Sequence, residues 1–173
     1  NGQIGKNSIS VGTNSSAQGH SSMALGRGSI SAGKNATGIG VLAKAGGESS
    51  VAIGDGAEAS GKDSIAMGTG SKVTGDIANN NSFVLGNKGG TTQDNSVVLG
   101  NLSTDRAATT ETGVMINGTT YTYAGQGSAA KGVVSVGSIG AERQIINVAA
   151  GRVNGASTDA INGSQLHATN ESV

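Results

Sequence analysis

The chain has 173 residues, a formal net charge of zero, 31 glycines, and no proline, cysteine or tryptophan. The lack of cysteine excludes disulfide bonds, and the balanced charge gives no electrostatic case for nucleic-acid binding. Aromatic residues are 2% of the chain, unlike a conventional globular enzyme, and no run of roughly 18 apolar residues predicts a membrane-spanning helix. We therefore expect no enzyme activity, no cofactor and no metal site.

A five-residue sequence motif, here called the phrase, recurs at a nearly constant interval along residues 1–100. The first copies are Ser8–Gly12 and Ser22–Gly26, and later copies begin at residues 36, 50, 64, 82 and 96. The step is 14 residues, except for one step of 18. A second glycine series runs in phase with it, at residues 5, 19, 33, 47, 61 and 75. This period predicts an all-β solenoid in which each coil is a flattened roll of two short strands.

Side chains alternate between the two faces of a strand, so the phrase predicts how each first strand is oriented. Its large apolar residues, such as Ile9 and Val11, are expected to fill the roll. The residues of the opposite parity are small or apolar, which predicts that the outer face of this strand is excluded from water. Because a thin core needs external support, we expect this face to bind further copies of the chain. The interface candidates are Ala24, Ala52, Ala66, Val84 and Val98.

The second strand of each coil is expected to place small residues inside and longer ones outside. The outward row is a candidate binding surface, and its alternative is a merely solvated face. This row contains Ile30, Lys44, Glu58 and Lys72. A second candidate is the four-residue insertion that causes the step of 18, because loops added to a rigid scaffold often carry binding. Its tip is predicted at Asn79, Asn80 and Asn81.

The last coil carries Gly89-Gly90-Thr91-Thr92 in place of the small residues, so we expect it to lack the second strand. The repeat ends near residue 100, and three further segments follow. Residues 101–141 are a predicted β-hairpin connector, because Asn117-Gly118 suits a type I′ turn between two apolar or β-branched runs. The stretch Val133–Gly137 resembles the repeat phrase. Residues 142–165 form a separate motif, and residues 166–173 suit the first heptad of a coiled coil, with Leu166 in the seam.

The repeats and the later motif together resemble the trimeric autotransporter adhesins. Residues 142–151 read Glu-Arg-Gln-Ile-Ile-Asn-Val-Ala-Ala-Gly, and residues 157–166 read Ser-Thr-Asp-Ala-Ile-Asn-Gly-Ser-Gln-Leu, as in the neck of that family. The 14-residue repeats resemble its YadA-like head. The resemblance implies a homotrimer of left-handed parallel β-rolls on the bacterial cell surface, with an outer-membrane anchor in a C-terminal region that the given sequence lacks. It also implies attachment to extracellular-matrix proteins, cells or abiotic surfaces. The neck residues it implies are Arg143, Gln144, Ile145, Asn147, Val148, Asp159, Asn162 and Leu166.

Other functions fit the sequence less well. A solenoid acyltransferase would show a six-residue period and a catalytic histidine, whereas His20 occupies a repeat corner. An ice-binding solenoid would show a ladder of Thr-x-Thr pairs, and only Thr120 and Thr122 have that spacing. The remaining alternative to an adhesin is a structural spacer within a fibre, with no binding site of its own.

Overall fold

The computed structural model describes residues 4–74 and 80–173, and its fold is a parallel β-solenoid of about six turns. The first strands of the coils form the long sheet: β1 Ile9–Val11, β3 Met23–Leu25, β5 Thr37–Ile39, β7 Val51–Ile53, β9 Ile65–Met67, β11 Phe83–Leu85, β13 Val97–Leu99 and β16 Val134–Ser135. The second strands form the short sheet: β2 Ser16–Ala17, β4 Ile30–Ser31, β6 Lys44–Ala45, β8 Glu58–Ala59, β10 Lys72–Val73 and β12 Gly90–Thr91.

The register of both sheets follows the sequence repeat. Ile9 pairs with Met23, one step of 14 residues away. Ile65 pairs with Phe83 across the step of 18, so the extra residues lie outside the strands. The predicted insertion falls mainly on residues 75–79, which lie outside the described residues, as does its candidate Asn79.

The interior of the roll is built from small side chains. Of the described residues, the fully buried apolar ones are alanines and valines only, and buried serines accompany them. The expected orientation of the first strands is therefore wrong. Side chains predicted to face outward have no exposed surface within a single chain, and the large apolar residues face outward instead. The predicted interface residues that are instead enclosed within the roll are Ala24, Ala52, Ala66, Val84 and Val98.

Tight corners explain this inversion. The Ser15 amide donates to the Gly12 carbonyl (3.2 Å), so a four-residue turn carries the chain from the long sheet to the short sheet. Two sheets joined by such short turns lie close together, and the space between them accepts only small side chains. The second strands behave as predicted, with Ala17, Ala45 and Val73 fully buried.

The glycine that closes each phrase is required by the stacking of the coils. Gly54 has φ 132°, and a Cβ added there would lie 2.6 Å from the Gly68 carbonyl oxygen. No L-residue with a side chain fits that approach. The glycine column therefore fixes how closely successive coils stack.

The last coil departs from the sequence prediction. It was expected to lack the second strand, but β12 pairs in register with β10, and Thr91 is buried beside Val73. The repeat-like stretch at 133–137 does continue the solenoid, because Val134 in β16 pairs with Val97.

The chain divides into two compact units. The first comprises Asn1–Ala108 and Ala130–Glu142, and therefore contains the solenoid. The second comprises Thr109–Ala129 and Arg143–Val173. It holds the antiparallel hairpin β14 Gly113–Ile116 and β15 Thr119–Thr122, and the helix α1 Gly163–Ser172. A short 3-10 turn occupies Ala129–Lys131.

The hairpin is confirmed as predicted. Ile116 pairs with Thr119, leaving Asn117 and Gly118 as the two turn residues. Their φ angles of 49° and 79° are both positive, as a type I′ turn requires.

Candidate binding surfaces

The outward row of the short sheet lies on the solvated side of the roll. Lys44 pairs with Glu58 and Glu58 with Lys72 in the parallel register, so unlike charges alternate along the row. Lys44 and Lys72 are exposed, while Ile30 and Glu58 are partly buried. The four predicted row residues therefore do lie side by side on one face.

The two described residues of the predicted insertion tip are held by corner contacts. The Asn80 Oδ1 accepts from the Lys62 amide (3.0 Å), and the Asn80 amide donates to Asp94 Oδ1 (2.8 Å). Asn81 has φ 57° and donates through Nδ2 to Asn95 Oδ1 (3.2 Å). Both asparagines thus tie adjacent coils together.

The outer face of the long sheet is a continuous apolar surface that the sequence prediction missed. Each long-sheet strand from β1 to β13 contributes one or two large apolar side chains, which are partly or largely exposed in the single chain. These residues, here called the long-sheet apolar face, are Ile9, Val11, Met23, Leu25, Ile39, Val51, Ile53, Ile65, Met67, Phe83, Leu85, Val97 and Leu99. A contiguous apolar patch of this kind marks an interaction surface.

The sequence did contain a signal for this face. Both strands of each coil carry small residues at one parity, for example Ala52 in β7 and Ala59 in β8. Two small sets that face each other give a thin, well-filled interior. The large residues then have no place except outside.

The segment 143–162 carries apolar side chains that its own chain leaves uncovered. The exposed fractions are 70% for Ile145, 72% for Ile146, 77% for Val153 and 60% for Ile161. Since the described residues 143–162 form neither helix nor strand, little of this apolar surface is covered within the chain.

Side-chain hydrogen bonds hold this segment to the start of α1. Gln165 Nε2 donates to the Gly151 carbonyl (2.7 Å), and Gln165 Oε1 accepts from the Gly151 amide (3.0 Å). Asn162 Nδ2 donates to the Val148 carbonyl (3.0 Å). The two strings of the predicted neck motif therefore meet in space.

An ion pair adds a second tie. Arg152 Nε donates to Asp159 Oδ2 (2.9 Å), and the other guanidinium nitrogen reaches Oδ1 (3.1 Å). The Arg152 side chain, followed by its own backbone amide, lowers the pKa of Asp159 below its ordinary value. Asp159, which the sequence placed in the neck, thus has a defined partner.

The helix begins earlier than expected. Its first residue is Gly163 rather than residue 166, because Asn162 and Gln165 form a capping box. The remaining neck candidates, Arg143, Gln144 and Asn147, lie in the same segment, and Asn147 has φ 61°. Leu166 is 57% exposed on the helix.

Comparison with known families places these features in one protein class. The YadA head domain repeat matches residues 4–29, 31–57 and 59–76. The coiled stalk of trimeric autotransporter adhesin matches residues 144–173. The chain belongs to the trimeric autotransporter adhesins. It carries their head and stalk domains in that order, and the adhesins are a non-enzymatic class.

Individual relatives agree with this assignment. Autotransporter adhesin BtaE of Brucella suis is 57% identical over 61 residues, which are 35% of this chain and 8% of that protein. The C-terminal YadA-like domain of a Burkholderia pseudomallei protein is 41% identical, with a TM-score of 0.52 over 59% of this chain and 47% of that one. The collagen-binding domain of Yersinia adhesin YadA shares the fold, at 24% identity and a TM-score of 0.55, over 96% of this chain and 98% of that one.

This adhesin segment spans a small part of the curated relative that it matches. Autotransporter adhesins are surface-exposed. Within the described residues, no helix has the length and apolar character needed to cross a membrane.

Proposed function

We propose that this segment acts as a homotrimer that attaches the bacterial surface to extracellular-matrix proteins, other cells or abiotic surfaces. The observation that carries the proposal is the long-sheet apolar face on a roll that matches the adhesin head repeat. A face with large apolar side chains on every first strand is costly in water. Burial against two further copies would remove that cost.

The trimer interface is therefore proposed to be the reverse of the one predicted from strand parity. Residues such as Ile53 and Met67, which face outward, take the place of Ala52 and Ala66, which are enclosed within their own roll. The exposed apolar residues of the neck, such as Ile145 and Ile161, are proposed to be covered by the neighbouring chains in the same way.

The binding surface is proposed to be the outward row of the short sheet. If the long sheet faces the trimer axis, the short sheet faces the medium. Ile30, Lys44, Glu58 and Lys72 then recur three times around the fibre, so weak contacts add through avidity. Solenoids characteristically bind through such extended surfaces.

The direct test is an adhesion panel with the trimeric protein. Collagen, fibronectin and bare polystyrene would be coated in parallel, and bound protein measured for the parent, for Lys44→Glu with Lys72→Glu, and for a variant lacking four of residues 75–79. We expect the charge-reversed row to lose most binding to at least one surface. Equal adherence of all three proteins would exclude both candidate surfaces, and no adherence by the parent would favour the spacer function.

A further inference from the structure

An open cavity of about 430 Å³ lies on the outer side of the short sheet, beside its last strand. Gly89 and Gly90 line it, together with Lys72, Lys88 and Asp105. We call it the Gly90 cavity. Two residues that differ from the repeat lie there: Gly90 in strand β12 and Lys88 in the turn before that strand.

The strand departure is the missing side chain at position 90. Gly90 pairs with Lys72 in the outward row and bridges to Thr104 in the next coil. Its φ lies outside the left-handed region, and a Cβ added there would meet only the Lys72 carbonyl oxygen, at 3.7 Å. That is an ordinary contact, so the fold does not require glycine here. The effect of Gly90 is to leave the row open between Lys72 and Thr104.

The corner departure is a charge at position 88. This corner has positive φ in every described coil, and its residues are Asn14, Gly28, Leu42, Gly56, Gly70, Lys88 and Leu102. Lys88 is the charged one among these described residues. Its φ is 53°, in the left-handed region, which strains a residue with a side chain. Its side chain packs above Gly70, with Cγ 3.5 Å from the position of an added Gly70 Cβ.

The charges around the cavity favour an anion. Lys72 and Lys88 are exposed, and the ion pairs found among the described residues involve neither of them. Asp105 is occupied by its own loop. Its Oδ1 accepts from the Thr92 amide (2.8 Å) and hydroxyl (3.1 Å), and its Oδ2 accepts from the Gln93 amide (3.1 Å). Two lysines and one aspartate line the cavity, so its lining carries one net positive charge, and the lysines are its charged donors.

We propose that the Gly90 cavity binds the carboxylate of an acidic side chain in an extended segment of a partner protein. Lysine ammonium groups donate charge-assisted hydrogen bonds, which are stronger than neutral ones. A polysaccharide acid is the less favoured ligand, because sugar rings generally pack on aromatic side chains and none of the described lining residues is aromatic. The inference rests on the proposed attachment function, for which it supplies one specific contact.

The test uses two immobilised peptides of glycine and serine, one with a single central Glu and one with Gln in its place. Binding of the trimeric protein would be followed by biolayer interferometry. Gly90→Leu fills the cavity, and Lys88→Gly restores the residue that Gly56 and Gly70 provide in earlier coils. Lys34→Gln, an exposed lysine outside both the cavity and the outward row, is the matched control.

We expect the parent to prefer the Glu peptide by about two- to fivefold, as a solvent-exposed ion pair allows, and each cavity variant to bind the two peptides equally. The control should keep the preference of the parent. Lys88→Gly should keep or raise the melting temperature, since it relieves the corner, so its loss of binding is not explained by unfolding.

Equal binding of the parent to both peptides would overturn the proposal, as would cavity variants that bind like the parent. A polygalacturonate surface forms a third arm, and binding there alone would assign the cavity to an acidic polysaccharide instead. The adhesion panel described above distinguishes the cavity proposal from the attachment proposal. If parent and cavity variants adhere equally to the panel, attachment stands and the cavity assignment fails. If the parent binds the Glu peptide but no panel surface, the reverse holds.

Discussion

At the scale of single residues, the solenoid depends on positions where no side chain can be present. Gly54 is one of a column of glycines that each lie against the carbonyl of the next coil. Gly56, two residues further on, also has positive φ (64°), but an added Cβ there would meet nothing within 4 Å. Substitutions at these two positions therefore distinguish the cost of a clash between stacked coils from the cost of a positive φ.

Gly54→Ala should lower the melting temperature clearly, because it adds a steric clash to a left-handed strain of about 1–2 kcal/mol. Gly56→Asn is the control and should change it little, since asparagine tolerates positive φ in open space. Thermal unfolding followed by circular dichroism at one protein concentration measures both. If both variants melt like the parent, the glycine column does not limit stacking.

The Arg152–Asp159 pair gives the neck a dependence on acid. The pKa of Asp159 is lowered in the folded chain, chiefly by the Arg152 side chain. A carboxyl with a lowered folded pKa stabilises the structure above its unfolded pKa, and this contribution is lost as the pH falls through the folded pKa. The pair is solvent-exposed, so the effect should be modest.

Asp159→Asn should melt below the parent near neutral pH, and this difference should shrink as the pH falls below the ordinary carboxyl value of 3.8. Melting temperatures across a pH series test this. Glu111→Gln, another carboxylate of the same unit, controls for general charge effects. A difference that is constant over the whole series would show that the ion pair contributes nothing.

At the scale of elements, the sequence predicted the strands and their register but inverted the first strands. The period fixed the pairing of Ile9 with Met23, and Asn117-Gly118 fixed the hairpin turn. The alternation of side chains along a strand shows which residues share a face, but not which of the two faces points into the roll. Assigning Val51 and Ile53 to the interior assumed that large apolar side chains are buried within their own chain. The narrow gap between sheets joined by four-residue turns excludes them.

Other features depended on information that a sequence repeat does not contain. The Gly90 cavity arises because a side chain is missing from a row, whereas the pair Gly89-Gly90 in the sequence predicts that the second strands end there. The ties of Gln165 to Gly151 and Arg152 to Asp159 join residues 14 and 7 positions apart. They became visible only once the path of the chain was known.

The inverted orientation has a direct consequence for substitutions in β7. Ala52→Leu should destabilise the chain by about 1–3 kcal/mol, because the thin interior has no room for three more carbons. Ile53→Leu, on the outer face of the same strand, should cost less than about 1.5 kcal/mol. Melting temperatures at equal concentration compare the two. If Ile53→Leu is the more damaging substitution, the large residues fill the roll after all.

At the scale of the whole molecule, a thin roll with an apolar outer side is incomplete as a single chain. The fully buried apolar residues of the described chain are alanines and valines, whereas isoleucines, leucines, methionines and a phenylalanine lie on the long-sheet apolar face. Most of the large apolar side chains are therefore available for the proposed contacts between copies. The neck, with Ile145 and Ile161 exposed, follows the same design.

Association of three copies through this face can be measured by multi-angle light scattering after size-exclusion chromatography. The parent should have three times the mass of the 16.7-kDa chain. Ile53→Lys combined with Met67→Lys should shift the mass toward monomer, because each lysine would be buried unpaired at the interface. The control, Lys44→Gln with Lys72→Gln on the short sheet, should remain trimeric. A folded monomer for the parent, or a trimer for the lysine-bearing variant, would show that the long-sheet apolar face is not a trimer interface.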